Sequence, residues 1–357
     1  MLTRLSNGGA ELQAKHQINA LAELGHQVTV ITLDKSDEVV KAKIRVLSVA
    51  SFKNPLYIVE SLYWIWKSRC DYVYTFFRQS DVAGFLSKYI LFKKWIMAER
   101  SSRQCYKDSK LDKLRSWIGL SADIIICNSN AGHEYWVENG KDSGKVKILS
   151  NCYPNEIEPR RGVDGDDKGR KQISRQRLLY IGRCENEKNI WLLLLCMMES
   201  FLRNVDLVII GTGSELRKLK DYVQEKGVAN VKILGHMSSE EIRQELGAGD
   251  VLVSLSRYEG MSNSVAEAII RRMPLILSDI EGHREITGNK LQYVDCAASI
   301  QECSWQIRKI YDGAKDGSQY RMGLNEIRSG LLSRGSLNNH KESLGRILQD
   351  VQAWDSQ

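Results

Sequence analysis

The sequence is poor in proline and has no long apolar run. Only four of its 357 residues are proline, and it contains neither a low-complexity tract nor an internal repeat, which argues against long disordered segments and against a solenoid. No run of about 18 apolar residues occurs, so we expect no membrane-spanning segment. No apolar region precedes Gly8 and Gly9, so we expect no secretory signal peptide. These absences predict a globular protein of the cytoplasm.

The eight cysteines follow neither a metal-binding nor a disulfide pattern. They are scattered, with no CxxC motif and no Cys/His pair at the spacing of a zinc site. Several lie in strand-like apolar runs, where cysteine is typically a small core residue. We therefore expect a reducing compartment and no metal site.

Positive charge is concentrated in the first half of the chain. The formal net charge is +7, and residues 1–160 hold 23 of the 51 Lys and Arg and 17 of the 44 Asp and Glu, which amounts to +6. An anionic membrane surface, a nucleic acid or an acidic small molecule would each match this charge. No nucleic-acid-binding motif is present, so we exclude nucleic acid as a partner.

Lysines also accompany two aromatic stretches, 57–66 and 85–95. We expect most of these aromatic side chains to form the buried faces of helices. The neighbouring basic residues leave open a peripheral contact with an anionic surface, at the inner face of the cytoplasmic membrane.

Short apolar, strand-like runs alternate with helical patterns along the chain. This alternation predicts an α/β fold with parallel sheets in doubly wound domains, and a length of 357 residues favours two of them. We place the first domain at residues 1–165 and the second at 166–335. The polar, glycine-bearing segment 155–177 is the predicted linker, and the tail at about 336–357 is predicted to be helical.

The segment from 251 to 285 is the most informative part of the sequence. It predicts a strand, a tight loop, a helix and a second strand, so that the helix begins near the carboxyl end of the first strand. Such a point favours anionic ligands. Glu259 in the loop and Glu267 in the first turn of the helix would accept hydrogen bonds from hydroxyl groups. Phosphate and hydroxyl groups together indicate a nucleotide or a sugar phosphate. The predicted bounds are 251–256 for the first strand, 257–263 for the loop, 264–273 for the helix and 274–279 for the second strand.

Both glutamates also have a simpler interpretation. Ser264 and Glu267 fit a capping box, in which Glu267 only satisfies the backbone at the helix start. Glu259 alone would be a solvated loop residue.

The complete string that contains Glu259 and Glu267 resembles the E-x7-E signature of retaining nucleotide-sugar glycosyltransferases of family 4. The resemblance runs from about residue 6 to 285 and is dense from 178 onward. It implies the GT-B fold, with two Rossmann-like domains and a deep cleft between them, and a C-terminal helix that packs back on the first domain. Family members begin with a fuller first strand than residues 1–5, which implies a start slightly upstream.

The resemblance also implies roles for the residues of this segment. Glu267 would bind the ribose hydroxyls of a nucleotide-sugar donor. Glu259 would hold the hexose together with the backbone N–H groups of the loop that follows it. These N–H groups belong to Gly260, Met261, Ser262 and Asn263.

Two further segments resemble motifs of the same family. Gly182 and Arg183, with Lys188 five residues on, are similar to the GR-x4-K segment, whose Arg and Lys neutralise the donor diphosphate. Gly8 to Glu11 is similar to a Gly-Gly-x-Glu turn that faces the donor through Gly9. The resemblance implies catalytic roles for Arg183, Lys188 and Glu259, with no metal and no cofactor. A formal D-x-D motif at 164–166 lies in the polar linker, and we dismiss it as a metal site.

These implications lead to a retaining, metal-independent hexosyltransferase. It would move a hexose or N-acetylhexosamine from a UDP-sugar to a saccharide or lipid-linked saccharide acceptor, in bacterial cell-surface polysaccharide or lipopolysaccharide synthesis. The alternatives are a GDP-mannose-type donor, a nucleotide-sugar epimerase and a non-catalytic binding module on the same fold. Many relatives carry a histidine after the strand at 95–98, where this chain has Glu99, Arg100 and Ser101. A subset shares the Glu-Arg variant, and the sugar contacts at this point stay open.

Overall fold

The computed structural model divides the chain into two compact units. Unit 1 comprises Met1–Pro154 and Ser333–Gln357, and unit 2 comprises Asn155–Leu332. The predicted linker, apart from Arg177, and the D-x-D motif within it lie outside the residues that the structure describes, as do residues 2–4 of the predicted first strand. The described residues are 1, 5, 8–33, 40–49, 51, 54–101, 110–153, 177–247, 249–316 and 318–353.

Strands and helices alternate through both units, as the sequence predicts. The strands are β1 (Thr29–Thr32), β2 (Lys43–Val46), β3 (Tyr72–Thr75), β4 (Lys94–Glu99), β5 (Ile124–Cys127), β6 (Val146–Ile148), β7 (Leu178–Ile181), β8 (Leu207–Ile210), β9 (Val231–Gly235), β10 (Val251–Ser254), β11 (Leu275–Ser278) and β12 (Tyr293–Val294). The helices are α1 (Gly9–Glu23), α2 (Leu56–Ser68), α3 (Asp81–Ile90), α4 (Lys110–Gly119), α5 (Asn130–Glu138), α6 (Ile190–Met198), α7 (Leu216–Lys226), α8 (Ser239–Glu245), α9 (Asn263–Ile270), α10 (Glu281–Thr287), α11 (Ile300–Asp316), α12 (Ser318–Gly335) and α13 (Leu337–Ala353).

Unit 1 is built on parallel strands that are covered by helices on both faces. Its described strands form a pair, β1–β2, and a four-stranded sheet in the order β3–β4–β5–β6. Helices α1 and α13 contribute Ala14, Leu344 and Ile347 to an apolar cluster on one face of the four-stranded sheet. On the other face, Ile118 of α4 and Trp136 of α5 pack with Trp95 and Met97 of β4. The C-terminal helix α13 is thus part of the core of unit 1.

Unit 2 contains a parallel sheet whose strand order reverses in its middle. The order is β12–β11–β10–β7–β8–β9. The chain runs outward from β7 through β8 to β9, and then returns to place β10 on the other side of β7. Strands β7 and β10 are therefore neighbours whose following loops diverge. Open parallel sheets bind their ligands at such a switch point.

The parallel sheets confirm the predicted α/β class with two Rossmann-like domains. Three helices were not predicted: α4, α10 and α12. Helix α4 is only ten residues long. Its Ile118 packs on the sheet, and an ion pair of its Arg115 with buried Asp81 holds it to α3. Helix α10 has only seven residues, which is too short for a periodic pattern to be recognised. Among the described residues, no helix is both long and apolar enough to cross a membrane.

Candidate functional site at the switch point of unit 2

The loops after β7 and β10 bring Lys188 and Glu259 together. Lys188 Nζ donates a hydrogen bond to Glu259 Oε1 at 2.5 Å, although 71 residues separate them in the sequence. Both side chains are largely buried, with exposed fractions of 17% and 11%. A buried pair of this kind is retained only where the geometry satisfies both charges.

Local backbone structure fixes the position of Lys188. It is the last residue of a 3-10 turn, Asn186–Lys188, and the next residue, Asn189, adopts a left-handed conformation with φ 54° before α6 begins. The carbonyl of Glu187 in this turn accepts a hydrogen bond from the backbone N–H of Arg257 at 2.8 Å. The loop after β7 is therefore joined directly to the loop after β10.

Three groups support the carboxylate of Glu259. Besides Lys188, Ser256 Oγ donates to Oε1 at 2.8 Å, and the buried His283 lies close enough to interact with the charge. Burial pushes the pKa of Glu259 upward, but Lys188, His283 and the hydrogen bond from Ser256 outweigh it, so the pKa lies below its ordinary value. Glu259 is ionised at neutral pH and can accept hydrogen bonds but not donate a proton.

Gly282 and His283 at the start of α10 also belong to the site, although the sequence did not predict them. A Cβ on Gly282 would lie 2.5 Å from the carbonyl oxygen of Gly260 and 2.6 Å from that of Glu259, so only glycine allows this approach. His283 is fully buried; its Nδ1 lies 3.0 Å from the carbonyl oxygen of Ser278. Burial lowers its pKa, although Glu259 acts in the opposite direction. The sequence feature that could have identified these two residues is a Gly-His pair just after the predicted strand at 274–279.

Arg183 does not join this pair. Its side chain is 70% exposed, and Nη2 donates to Glu187 Oε1 at 3.0 Å. The backbone around it is nevertheless tightly held. A Cβ on Gly211 would lie 1.7 Å from the Gly182 carbonyl oxygen, and one on Gly213 would lie 2.3 Å from that of Cys184. The Gly-Thr-Gly turn after β8 therefore packs directly under the Arg183 turn.

Helix α9 begins one residue earlier than predicted, and this changes the interpretation of Glu267. The N-cap is Ser262, and the helix runs from Asn263 to Ile270 rather than to 273. Glu267 therefore lies in the second turn. The predicted capping box with Ser264 is wrong, because Ser264 is inside the helix. Glu267 Oε2 instead accepts from Arg271 Nη1 at 3.0 Å on a partly exposed surface.

The remaining predicted donor-binding residues lie at the N-termini of two helices, α9 and α1. Gly260 and Ser262 are buried between Glu259 and α9, while Met261 and Asn263 are half-buried. In unit 1, Gly9 is the first residue of α1, and its N-cap Gly8 has no side chain to cap the helix. Among the described residues, no group of three or more His, Cys, Asp or Glu side chains is arranged to hold a metal ion.

Parallel sheets in two Rossmann-like units, with a cation and a carboxylate at a switch point, define a protein of the GT-B class. The sequence profile described as Glycosyl transferases group 1 matches residues 166–324. The profile described as Glycosyltransferase Family 4 matches residues 7–156. The chain belongs to glycosyltransferase family 4, which confirms the family that the sequence resembles.

Individual relatives agree with this membership. The alpha-D-kanosaminyltransferase of Streptomyces kanamyceticus is 30% identical over 33% of this chain and 34% of its own length. The O-antigen biosynthesis glycosyltransferase WbnH of Escherichia coli is 29% identical over 58% of this chain and 55% of its own. The chain thus spans between about a third and about a half of the curated relatives it matches first. Anabaena HepE, solved with UDP and glucose, matches 98% of both chains with a TM-score of 0.77 at 13% identity.

Proposed function

We propose that this protein is a retaining glycosyltransferase. It moves a hexose or N-acetylhexosamine from a nucleoside diphosphate sugar, with UDP as the nucleotide, to a saccharide acceptor. The observation that carries the proposal is the contact between Lys188 and Glu259 at the switch point of the unit 2 sheet. A cation for phosphate and an ionised carboxylate for hydroxyl groups, side by side, match the two chemical ends of a sugar phosphate.

Lys188 would stabilise the negative charge that grows on the leaving nucleoside diphosphate as the glycosidic bond breaks. Arg183 would join it when the donor binds. Its present ion pair with Glu187 is exposed, and such pairs contribute at most about 1 kcal/mol, so a diphosphate can replace Glu187. The backbone N–H groups at the start of α9 would hold the same ligand. These cations are the reason that the proposal includes neither a metal nor a cofactor.

The remaining donor contacts follow from the family resemblance. Glu259 would accept hydrogen bonds from the hexose hydroxyls, and Glu267 from the ribose. Gly9 would contribute its backbone N–H. An oxygen of the donor diphosphate would take the proton from the acceptor hydroxyl on the same face of the sugar, so that the anomeric configuration is retained without a side-chain nucleophile.

The state of Glu259 argues against hydrolysis by a carboxylate pair. Such glycosidases need one carboxyl group that is protonated at working pH. The pKa of Glu259 is instead lowered, because Lys188, His283 and the Ser256 hydroxyl outweigh the effect of burial, and Glu267 accepts from Arg271. A GDP-mannose-type donor, an epimerase and a binding module without catalysis remain the alternatives to test.

The relatives support a role in cell-surface polysaccharide or lipopolysaccharide synthesis. WbnH is named for O-antigen biosynthesis, and a Bacillus subtilis protein that is named for teichuronic acid biosynthesis is 32% identical over 47% of this chain. HepE was solved with UDP and glucose, which favours a UDP-sugar. The acceptor in this proposal is a saccharide or a lipid-linked saccharide.

A lipid-linked acceptor would require contact with a membrane, and unit 1 has a surface suited to it. Five aromatic side chains of unit 1 are exposed: Tyr63 and Trp66 of α2, Tyr89 of α3, Phe92 just after α3, and Trp117 of α4. Phe92 is 88% exposed. We call these five residues the aromatic surface. The prediction that these stretches are mostly buried is right for Tyr57 and Trp95 and wrong for Trp66 and Phe92.

Packing brings the members of the aromatic surface near one another. Phe85 contacts both Tyr89 and Trp117, with ring centroids 4.9 and 6.1 Å away. Strands β3 and β4, which follow α2 and α3, pair side by side from Tyr72 and Lys94 onward, so Phe92 lies at the same edge of the sheet as the end of α2.

Basic side chains border this surface. Lys67 and Arg69 at the end of α2 are exposed, and Lys93 is half-buried. Aromatic rings bordered by lysine and arginine are suited to the interface of an anionic bilayer. We therefore place the protein at the cytoplasmic face of the membrane.

The reaction is tested by following nucleoside diphosphate release. Thermal-shift measurements with UDP-glucose, UDP-N-acetylglucosamine and GDP-mannose would first identify the donor. Release is then measured with and without N-acetylglucosamine, free or on a polyprenyl diphosphate. Release only with an acceptor, with the donor's configuration kept in the product, is the expected result. Equal release of the nucleoside diphosphate without an acceptor would indicate a hydrolase. Conversion of the donor to an isomer would indicate an epimerase, and donor binding without turnover would indicate a binding module.

A further inference from the structure

The carboxyl-terminal edge of the four-stranded sheet in unit 1 carries polar side chains that the proposed donor site does not use. Arg100 directly follows β4, Asn128 directly follows β5 and Asn151 lies three residues beyond β6. These strands are adjacent and parallel, and the backbone N–H of Asn128 donates to the carbonyl of Glu99 at 3.1 Å. The three side chains therefore start from one edge, where α/β sheets bind ligands.

Arg100 is a half-buried cation without a carboxylate partner among the residues that the structure describes. Its Nη2 donates to Asn151 Oδ1 at 2.8 Å, and the guanidinium carbon lies 4.8 Å from the ring centroid of Phe76. The other N–H groups of the guanidinium donate to no acceptor among the described residues. Burial lowers the pKa of Arg100, since desolvation outweighs the nearby Tyr74, Tyr153, Glu11 and Glu99.

The neighbouring Glu99 acts on Arg100 through its charge but makes no hydrogen bond to it, because both of its oxygens bond other groups. Oε1 accepts from the backbone N–H and the hydroxyl of Ser101 at 2.8 and 2.6 Å. Oε2 accepts from Arg115 at 2.9 Å and from Trp136 at 3.0 Å. Glu99 thus holds the backbone on both sides of Arg100 in place and leaves the guanidinium available. It is a positioning residue for Arg100.

Asn128 adds a second, independent feature. It is 4% exposed, and its Oδ1 has no hydrogen-bond donor within the described residues. A buried carbonyl oxygen without a donor is unfavourable, and a ligand hydroxyl would relieve this. A guanidinium selects a planar or tetrahedral anion such as carboxylate or phosphate. A ligand that offers an anionic group to the guanidinium and a hydroxyl group to Asn128 Oδ1 would be an acidic saccharide.

We propose that Arg100 and Asn128 form a subsite for an acidic saccharide acceptor, one whose sugar carries a carboxylate or a phosphate group. Arg100 binds the acidic group, and Asn128 Oδ1 accepts a hydrogen bond from a sugar hydroxyl. This subsite rests on the proposed glycosyltransferase function, since it gives that reaction its acceptor class.

The test is a set of titrations on the full chain. Methyl glucuronide supplies the carboxylate, glucose 6-phosphate supplies the phosphate, and methyl glucoside is the neutral comparison. UDP is titrated separately. Each ligand is measured with the wild type and with Arg100→Gln, Arg100→Lys and Asn128→Leu. Arg346→Gln is the control, since Arg346 is an exposed arginine of α13 in the same unit.

We expect the wild type to bind an acidic sugar, and Arg100→Gln to weaken that binding about tenfold. Arg100→Lys should recover part of the affinity, Asn128→Leu should weaken it as well, and Arg346→Gln should have no effect. If only methyl glucuronide binds, the acceptor carries a uronic acid. If only glucose 6-phosphate binds, the acceptor carries a sugar phosphate.

Two results would overturn the subsite: equal affinity for the neutral glucoside, or no loss of acidic-sugar binding in a folded Arg100→Gln protein. Weaker UDP binding in Arg100→Gln would assign the arginine to the donor instead and would also overturn it. Absence of UDP binding in every variant, with acidic-sugar binding intact, would contradict the proposed function and not the subsite.

Discussion

Lys188 and Glu259 form a largely buried ion pair, with 2.5 Å between Nζ and Oε1, at the point where the unit 2 sheet reverses its strand order. Each side chain comes from the loop after a different strand, β7 or β10. Because those strands are neighbours, the pair forms only when the sheet is assembled. Substitutions in and around the pair can separate its role in the reaction from its role in stability.

Lys188→Ala should reduce glycosyl transfer at least about tenfold, which corresponds to about 1.4 kcal/mol of transition-state stabilisation. The charge on the leaving diphosphate would lose its buried counter-ion. Steady-state kinetics with the identified donor would measure the loss. Lys218→Ala, which removes an exposed lysine of α7, is the control and should keep full activity. Full activity in a folded Lys188→Ala protein would refute the assignment of Lys188 to the diphosphate.

Glu267→Ala should reduce transfer by a similar factor with little effect on stability. The side chain makes one described contact, a partly exposed ion pair with Arg271, and such pairs contribute less than about 1 kcal/mol to folding. Kinetics and a thermal unfolding curve on the same preparation test both parts. A large drop in Tm with unchanged kcat/KM would show that Glu267 is a structural residue.

Gly282→Ala should destabilise unit 2 and weaken donor binding together. The added Cβ would meet the carbonyl oxygens of Gly260 and Glu259 at 2.5 and 2.6 Å, and overpacking of this kind costs about 1–3 kcal/mol. Tm and UDP affinity are the measurements.

Gly313→Ala is a matched control for that substitution. Gly313 lies in α11, and a Cβ added there would meet no atom within 4 Å outside the backbone of its own helix. Alanine should raise stability there by up to about 1 kcal/mol. If Gly282→Ala behaved like Gly313→Ala, the close approach to the Glu259 loop would be irrelevant.

His340 should make unit 1 less stable in mild acid. Burial lowers the pKa of His340 from its ordinary 6.5 to about 4, and the hydrogen bond to the Ser150 carbonyl offsets only part of this. Between these two values the unfolded chain binds a proton that the folded chain does not, so stability falls as pH falls from about 6.5 toward about 4.

His340→Gln should reduce the loss of Tm between neutral pH and pH near 4.5, because the titrating group is gone. His236→Gln, at an exposed position, should retain the wild-type pH dependence. Identical pH profiles for wild type and His340→Gln would exclude His340 as the cause.

The aromatic surface should bind anionic vesicles. We expect the full chain to sediment with phosphatidylglycerol vesicles and much less with phosphatidylcholine vesicles. Phe92→Gly should reduce this binding without lowering Tm, because Phe92 is 88% exposed and its φ of 54° favours glycine. Trp305→Ala, which removes an exposed tryptophan of unit 2, is the control. Equal binding of wild type and Phe92→Gly would contradict the proposed surface.

Motif spacing pointed to Lys188 and Glu259, which the structure brings into contact, but not to the neighbours that support them. Both predicted residues lie beside strongly patterned strands and resemble known family segments. Gly282 and His283 gave only a weak signal, because their importance arises from contact with a loop more than twenty residues earlier. For Arg183, the ligand contact that its motif predicts stays a prediction, and the structure shows its side chain exposed beside Glu187.

The capping box at Ser264 and Glu267 failed for a comparable reason. A pattern of four residues cannot determine at which residue a helix begins, and in this protein α9 begins before Ser264. Helix α4 was missed because its ten residues give only a short apolar pattern. The ion pair of Arg115 with a buried aspartate of α3, which helps to hold the helix, has no signature in the sequence.

Local hydrophobic period and short motifs were enough to predict the alternation of strands and helices, the family and the segments in which the candidate site lies. The contacts between side chains could not be predicted in this way. The Lys188–Glu259 pair, the fit of Gly282 under the Glu259 loop and the position of Arg100 beside Asn151 all depend on which strands become neighbours. Strand order is set by packing of the whole sheet and has no local signature.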